Sequence, residues 1–82
     1  MGHNMKRVEY MVISNGFRQL RFNGNTYCVS QRGTSKNPNV VITKEISEYD
    51  YSADQHVLRY QQIEHPGYTT IREAIRFIRE HF

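Results

Sequence analysis

Apolar residues near the end of the chain fall at Ile71, Ala74, Ile75, Ile78 and Phe82. That i, i+3, i+4, i+7, i+11 spacing gathers them on one stripe of a helix, with Phe77 at its edge. Thr70 with Glu73 three residues on is a capping box, in which hydroxyl and carboxylate each satisfy the other residue's backbone N–H. Together these features predict a helix over residues 70–82. Arg72, Arg76 and Arg79 form a ridge on one flank, with Glu73 and Glu80 behind them. Glu73 with Arg76 and Arg76 with Glu80 are spaced as ion pairs worth about 0.2–0.5 kcal/mol each. The ridge therefore reads as a neutralised, solvated flank. An isolated helix of this length is marginal in water, so its stripe needs a sheet to lie on.

Upstream the apolar period shortens towards two. Residues 6–13 are strand formers, with Val8, Tyr10 and Val12 on one side and Met11 and Ile13 on the other. Asn15-Gly16 and Asn23-Gly24 follow, bracketing residues 17–22. Asn-Gly between alternating runs signals a hairpin with a type I′ turn, which needs positive φ at both central residues. The expectation is a three-stranded antiparallel meander. A two-residue turn at Asn23-Gly24 pairs Phe22 with Asn25, Leu20 with Tyr27 and Arg18 with Val29. Leu20, Phe22, Tyr27 and Val29 then form the face that receives the helix, leaving Gln19, Arg21, Thr26 and Cys28 on the other side. A two-residue first turn would add Met11 and Ile13 to the helix side and put Tyr10 opposite Arg21 on the outer side.

Residues 31–39 read as a loop, 40–46 as a fourth strand and 47–55 as an acidic, tyrosine-bearing turn or loop. Residues 56–63 read as a strand returning along 40–47. A helix starting at Ser52 competes with that reading, but Leu58 would leave its apolar stripe. His65-Pro66-Gly67 turns the chain into the terminal helix. The expected fold is α+β: an antiparallel four- to five-stranded β-meander packed against one C-terminal α-helix. It forms a single small domain over 1–82, with a loose start over 1–5, mostly strands over 6–63 and the helix over 70–82.

Composition narrows the functional classes. Ten aromatics and 38% hydrophobic residues argue against disorder. No apolar run approaches the roughly 20 residues of a membrane helix. Without a signal region, and with one cysteine, the chain reads as cytoplasmic. The net charge of +3 is unevenly spread. Residues 1–44 carry seven basic side chains against Glu9 alone, whereas residues 45–82 carry four arginines against seven carboxylates. A basic first half suits phosphates or acidic partners.

No motif names a chemistry. There is no GxGxxG, GxxxxGK[ST] or GxSxG, and His56 and His65 lack the tight ligand spacing of a metal site. Cys28 reads as a small strand hydrophobe. The expectation is a non-enzymatic binding module with no metal and no cofactor. The leading reading is nucleic-acid binding through a basic β-ribbon and loop. Arg18, Arg21, Arg32 and Lys36 would meet phosphates, with Tyr10 or Phe17 available to stack on bases. The alternative is a protein-binding or self-associating adaptor, with a protein partner or a homodimer as the resulting complex. It would use the acidic stretch around Tyr49, Asp50 and Tyr51 or the outer sheet face.

Overall fold

A computed structural model describes residues 7–82, and the loose start expected for residues 1–5 lies outside the described residues. Five strands form one antiparallel sheet: β1 (Glu9–Ser14), β2 (Phe17–Phe22), β3 (Asn25–Gly33), β4 (Pro38–Asp50) and β5 (Gln55–Ile63). Their order in the sheet is their order in the chain. One helix, α1 (Ile71–His81), covers part of one face. The architecture is α+β, a five-stranded meander with a C-terminal helix.

The second hairpin follows its turn chemistry. Asn23 (φ 53) and Gly24 (φ 82) both take positive φ, as a type I′ turn requires. The pairs Phe22↔Asn25, Leu20↔Tyr27 and Arg18↔Val29 form as the alternation predicts. The first hairpin departs from expectation. Only Gly16 of Asn15-Gly16 has positive φ, so this turn is not type I′. Ile13 still pairs with Arg18, but the register slips between Tyr10 and Val12, so that Tyr10 pairs with Leu20 and Glu9 with Arg21. This bulge moves Tyr10 to the helix side and takes Met11 out of the pairing.

The later strands run longer than their sequence suggests. β3 continues to Gly33 and β4 begins at Pro38, so the expected loop over 31–39 shrinks to residues 34–37. Gly33 makes this tight return feasible: its φ is +82, and a Cβ there would run into the Asn37 carbonyl. Residues 47–50 are strand, not loop, because β4 and β5 pair without interruption from Ile42↔Ile63 to Asp50↔Gln55. Only residues 51–54 remain as turn. The strand reading of 56–63 holds.

The core is a thin layer between sheet and helix. Leu20, Phe22, Tyr27, Val29, Val40 and Ile42 meet Ala74 and Ile78, with Ile71, Ile75 and Phe77 packed at its margin. Full burial of side chains such as Leu20, Ile42 and Ile78 contributes about 1.5–3 kcal/mol each. Phe82 is less central than its spacing implies. It is 38% exposed, and its ring lies 5.7 Å from that of Tyr27. The capping box forms as expected: the Thr70 hydroxyl accepts from the Glu73 N–H, and the Glu73 carboxylate accepts from the Thr70 N–H, both at 3.2 Å.

Two amides hold the helix along β3. Gln31 Nε2 donates to the Thr69 carbonyl at the helix start, at 2.7 Å. Asn23 Nδ2 donates to the Phe82 carbonyl at its end, at 2.8 Å. Thus α1 lies on β3 with opposite direction. Past Lys44 the β4–β5 ribbon loses its β3 partner, and no residue between Ile42 and Ala74 is buried.

Candidate nucleic-acid interface

The flanks of α1 differ in chemistry, and a chain of ring contacts orients them. Phe77 meets Tyr68 edge-on at 5.5 Å, and Tyr68 stacks on His65 at 5.6 Å. His65 in turn bonds the Val40 carbonyl of β4 at 2.8 Å. The Phe77 flank therefore lies on the β4 side. At 100° per residue Ile75 sits almost opposite Phe77 on the helix, so its flank faces β2 and β1. On that flank Arg72, Ile75, Arg76 and Arg79 line a hollow of about 450 Å³.

Charge pairing on the helix differs from the expected pattern. Arg76 Nε bonds the Glu80 carboxylate at 3.1 Å, as its spacing predicts. Glu73 does not pair with Arg76. One of its oxygens receives the N–H groups and hydroxyls of Thr69 and Thr70 at 3.0–3.4 Å. Those bonds, led by the Thr69 N–H, hold its carboxyl below the usual range. Among the described residues Arg72 and Arg79 have no carboxylate partner. The ridge is not neutralised as its sequence implies.

The sequence-derived contact residues divide between the two faces. Arg18 shares the helix side with Val29, and Tyr10 shares it with Leu20. Arg18 Nη1 donates to the carbonyls of Ser14 and Phe17, so this guanidinium braces the first turn. Tyr10 and Ile13 are 47% and 65% exposed on the flank that the arginine ridge faces. Phe17, Arg21 and Arg32 lie on the opposite face, paired with Ser30, Thr26 and Asn39, and Lys36 sits in the β3–β4 turn. No single surface unites the six. The helix ridge faces the same side as Tyr10 and Arg18, and the sequence pattern hides it because Glu73 and Glu80 are both spaced to neutralise it.

The acidic stretch becomes the tip of the β4–β5 ribbon. Asp50 Oδ1 accepts from the Ser52 hydroxyl at 2.6 Å and from the N–H groups of Ser52 and Ala53. These bonds, led by the Ser52 hydroxyl, keep its carboxyl below the ordinary value. The Tyr49 hydroxyl donates to Asp54, and its ring meets Tyr51 and His56 edge-on. Asp50 and Tyr49 are thus engaged in shaping the turn, whereas Tyr51 is 88% exposed.

The two candidate histidines are held apart by the fold. His56 lies near the start of β5 and His65 two residues beyond its end, so the strand separates them. Among the described residues no three His, Cys, Asp or Glu side chains gather as a metal site. Burial pushes the Cys28 thiol up, a bond with Thr43 only partly opposing it, so its thiolate is disfavoured. Among the described residues no helix is long and apolar enough to cross a membrane. Comparison with protein-family models, curated proteins and solved structures returned no match.

Proposed function

We propose that this chain is a non-enzymatic binding module for nucleic acid, engaged by the arginine flank of α1 and the neighbouring helix-side surface of β1 and β2. The observation that carries this reading is the hollow bordered by Arg72, Arg76 and Arg79, of which Arg76 alone has a carboxylate partner among the described residues. Guanidinium groups suit phosphate oxygens because their donors form a planar fork. Tyr10, exposed on the same side, adds a ring on which a base can stack. Arg21, Arg32 and Lys36 lie outside this surface and contribute long-range attraction rather than contact.

A shift assay with single- and double-stranded oligonucleotides at two salt concentrations tests the reading. Binding should weaken steeply with salt through counterion release. The double variant Arg72→Glu/Arg79→Glu should weaken it at least tenfold, while Arg21→Glu should have a smaller effect. Unchanged affinity in the double variant would overturn the proposal. A second reading, self-association, is favoured by the exposed apolar residues of β5.

A further inference from the structure

The two edges of the sheet are not equivalent. β1 is six residues long and bulged between Tyr10 and Val12, a device that disfavours further strand pairing. β5 is nine residues long, keeps unbroken register with β4, and contains neither proline nor lysine. Its one charge, Arg59, is bonded to Glu48 of β4 at 2.8 Å. Leu58 and Tyr60 are 63% and 60% exposed on the face away from the helix. Most of this strand borders the two-stranded part of the ribbon, which is the kind of element that gains stability from an added strand.

The sequence of β5 says which strand fits. A two-fold axis normal to the sheet keeps the same face up in both copies, so an antiparallel β5–β5 contact must be centred on one residue. Centring on Tyr60 sets Tyr60 against its own copy, Leu58 against Gln62 and His56 against Glu64 on the outer face. On the helix side it sets Arg59 against Gln61 and Val57 against Ile63. No pair in this register opposes two like charges, and His56 and Glu64 can share a hydrogen bond. Centring on Arg59 instead opposes two guanidinium groups. Centring on Gln61 sets Leu58 against Glu64 and Arg59 against Ile63. We infer that β5 is the seat of a symmetric dimer of this chain, centred on Tyr60, which joins two five-stranded sheets into one ten-stranded sheet with both helices on the same face.

Sedimentation equilibrium and native mass measurement test this on the full chain. The unaltered protein should run as two chains. Tyr60→Lys, which sets two ammonium groups together at the axis, should run as one chain with an unchanged circular dichroism spectrum. Val12→Lys, on the β1 edge, should leave the dimer intact. In a Cys28→Ser background, Tyr60→Cys treated with a disulfide oxidant such as oxidised glutathione should form a disulfide-linked dimer because position 60 meets itself. A monomeric unaltered protein overturns the inference, as does a Tyr60→Lys variant that stays dimeric or loss of the dimer through Val12→Lys. Absence of the position-60 cross-link overturns the register.

Discussion

His65 reaches back to Val40: its Nε2 donates to the Val40 carbonyl at 2.8 Å, while Nδ1 accepts from the N–H groups of Gly67 and Tyr68 at 3.2 and 3.0 Å. With Nδ1 accepting these two N–H groups, Nε2 is the nitrogen that donates to Val40. One imidazole thus closes the link between β5 and α1 onto β4. Replacing it with phenylalanine keeps a ring to stack on Tyr68 but strands one carbonyl and two N–H groups. His65→Phe should cost about 1–3 kcal/mol in urea unfolding. A loss near zero would mean water replaces all three bonds at no cost.

Burial separates two isoleucines that sequence spacing treats alike. Ile78 is fully buried, whereas Ile75 is half-buried at the edge of the arginine hollow. Ile78→Ala should cost about 2–5 kcal/mol, and Ile75→Ala clearly less. Paired denaturation curves check the order, and equal losses would contradict the difference in burial between the two side chains.

Acid should loosen the helix start through Glu73. Its carboxyl is held below the ordinary value by the Thr69 N–H first and the Thr70 hydroxyl next. A depressed folded-state value contributes stability that is fully present above the unfolded value and is lost as pH falls through the folded one. Asp50 acts in the same direction at the ribbon tip. Stability should therefore fall on acidification below the ordinary carboxylate range, and Glu73→Gln should flatten that fall. An unchanged pH slope in this variant would count against the capping carboxylate.

Among the described residues the buried hydroxyl of Tyr27 meets no partner at good hydrogen-bond geometry, the Asn25 side chain being at most a weak one. Burial pushes its pKa above the ordinary value, and the Asn25 side chain opposes this only in part. Phenylalanine keeps the ring and its contact with Phe82 while removing the unmet group. Tyr27→Phe should raise thermal stability or leave it within about 1 kcal/mol of the unaltered protein. A larger loss would point to a bonded hydroxyl.

Much of this fold is legible in local chemistry. Asn23-Gly24 and the alternation around it specify the central hairpin, its register and four of the core side chains. Thr70 and Glu73 specify the helix start. What escapes local reading depends on partners distant in sequence. Residues 47–50 look like loop because Ser, Glu and Asp are weak strand formers, yet their pairing with residues 55–58 holds them extended. The bulge at Tyr10/Val12 has no local signature. The arginine ridge escapes local reading because spacing alone lets the Glu73 carboxylate serve both the cap and Arg76. In the folded chain the cap takes it.

The strand order has a kinetic meaning. Because every strand pairs with the one before it, each pairing needs only the closure of a short turn, and the widest β4–β5 pair, Ile42 with Ile63, spans 21 residues. Helix docking requires longer closures, 38 residues from Gln31 to Thr69 and 59 from Asn23 to Phe82. Loop entropy therefore favours zipping the sheet hairpin by hairpin and seating the helix last. During that interval the face of Leu20, Tyr27, Val29 and Ile42 stands open, and the speed of helix arrival governs how long the nascent sheet is exposed to aggregation.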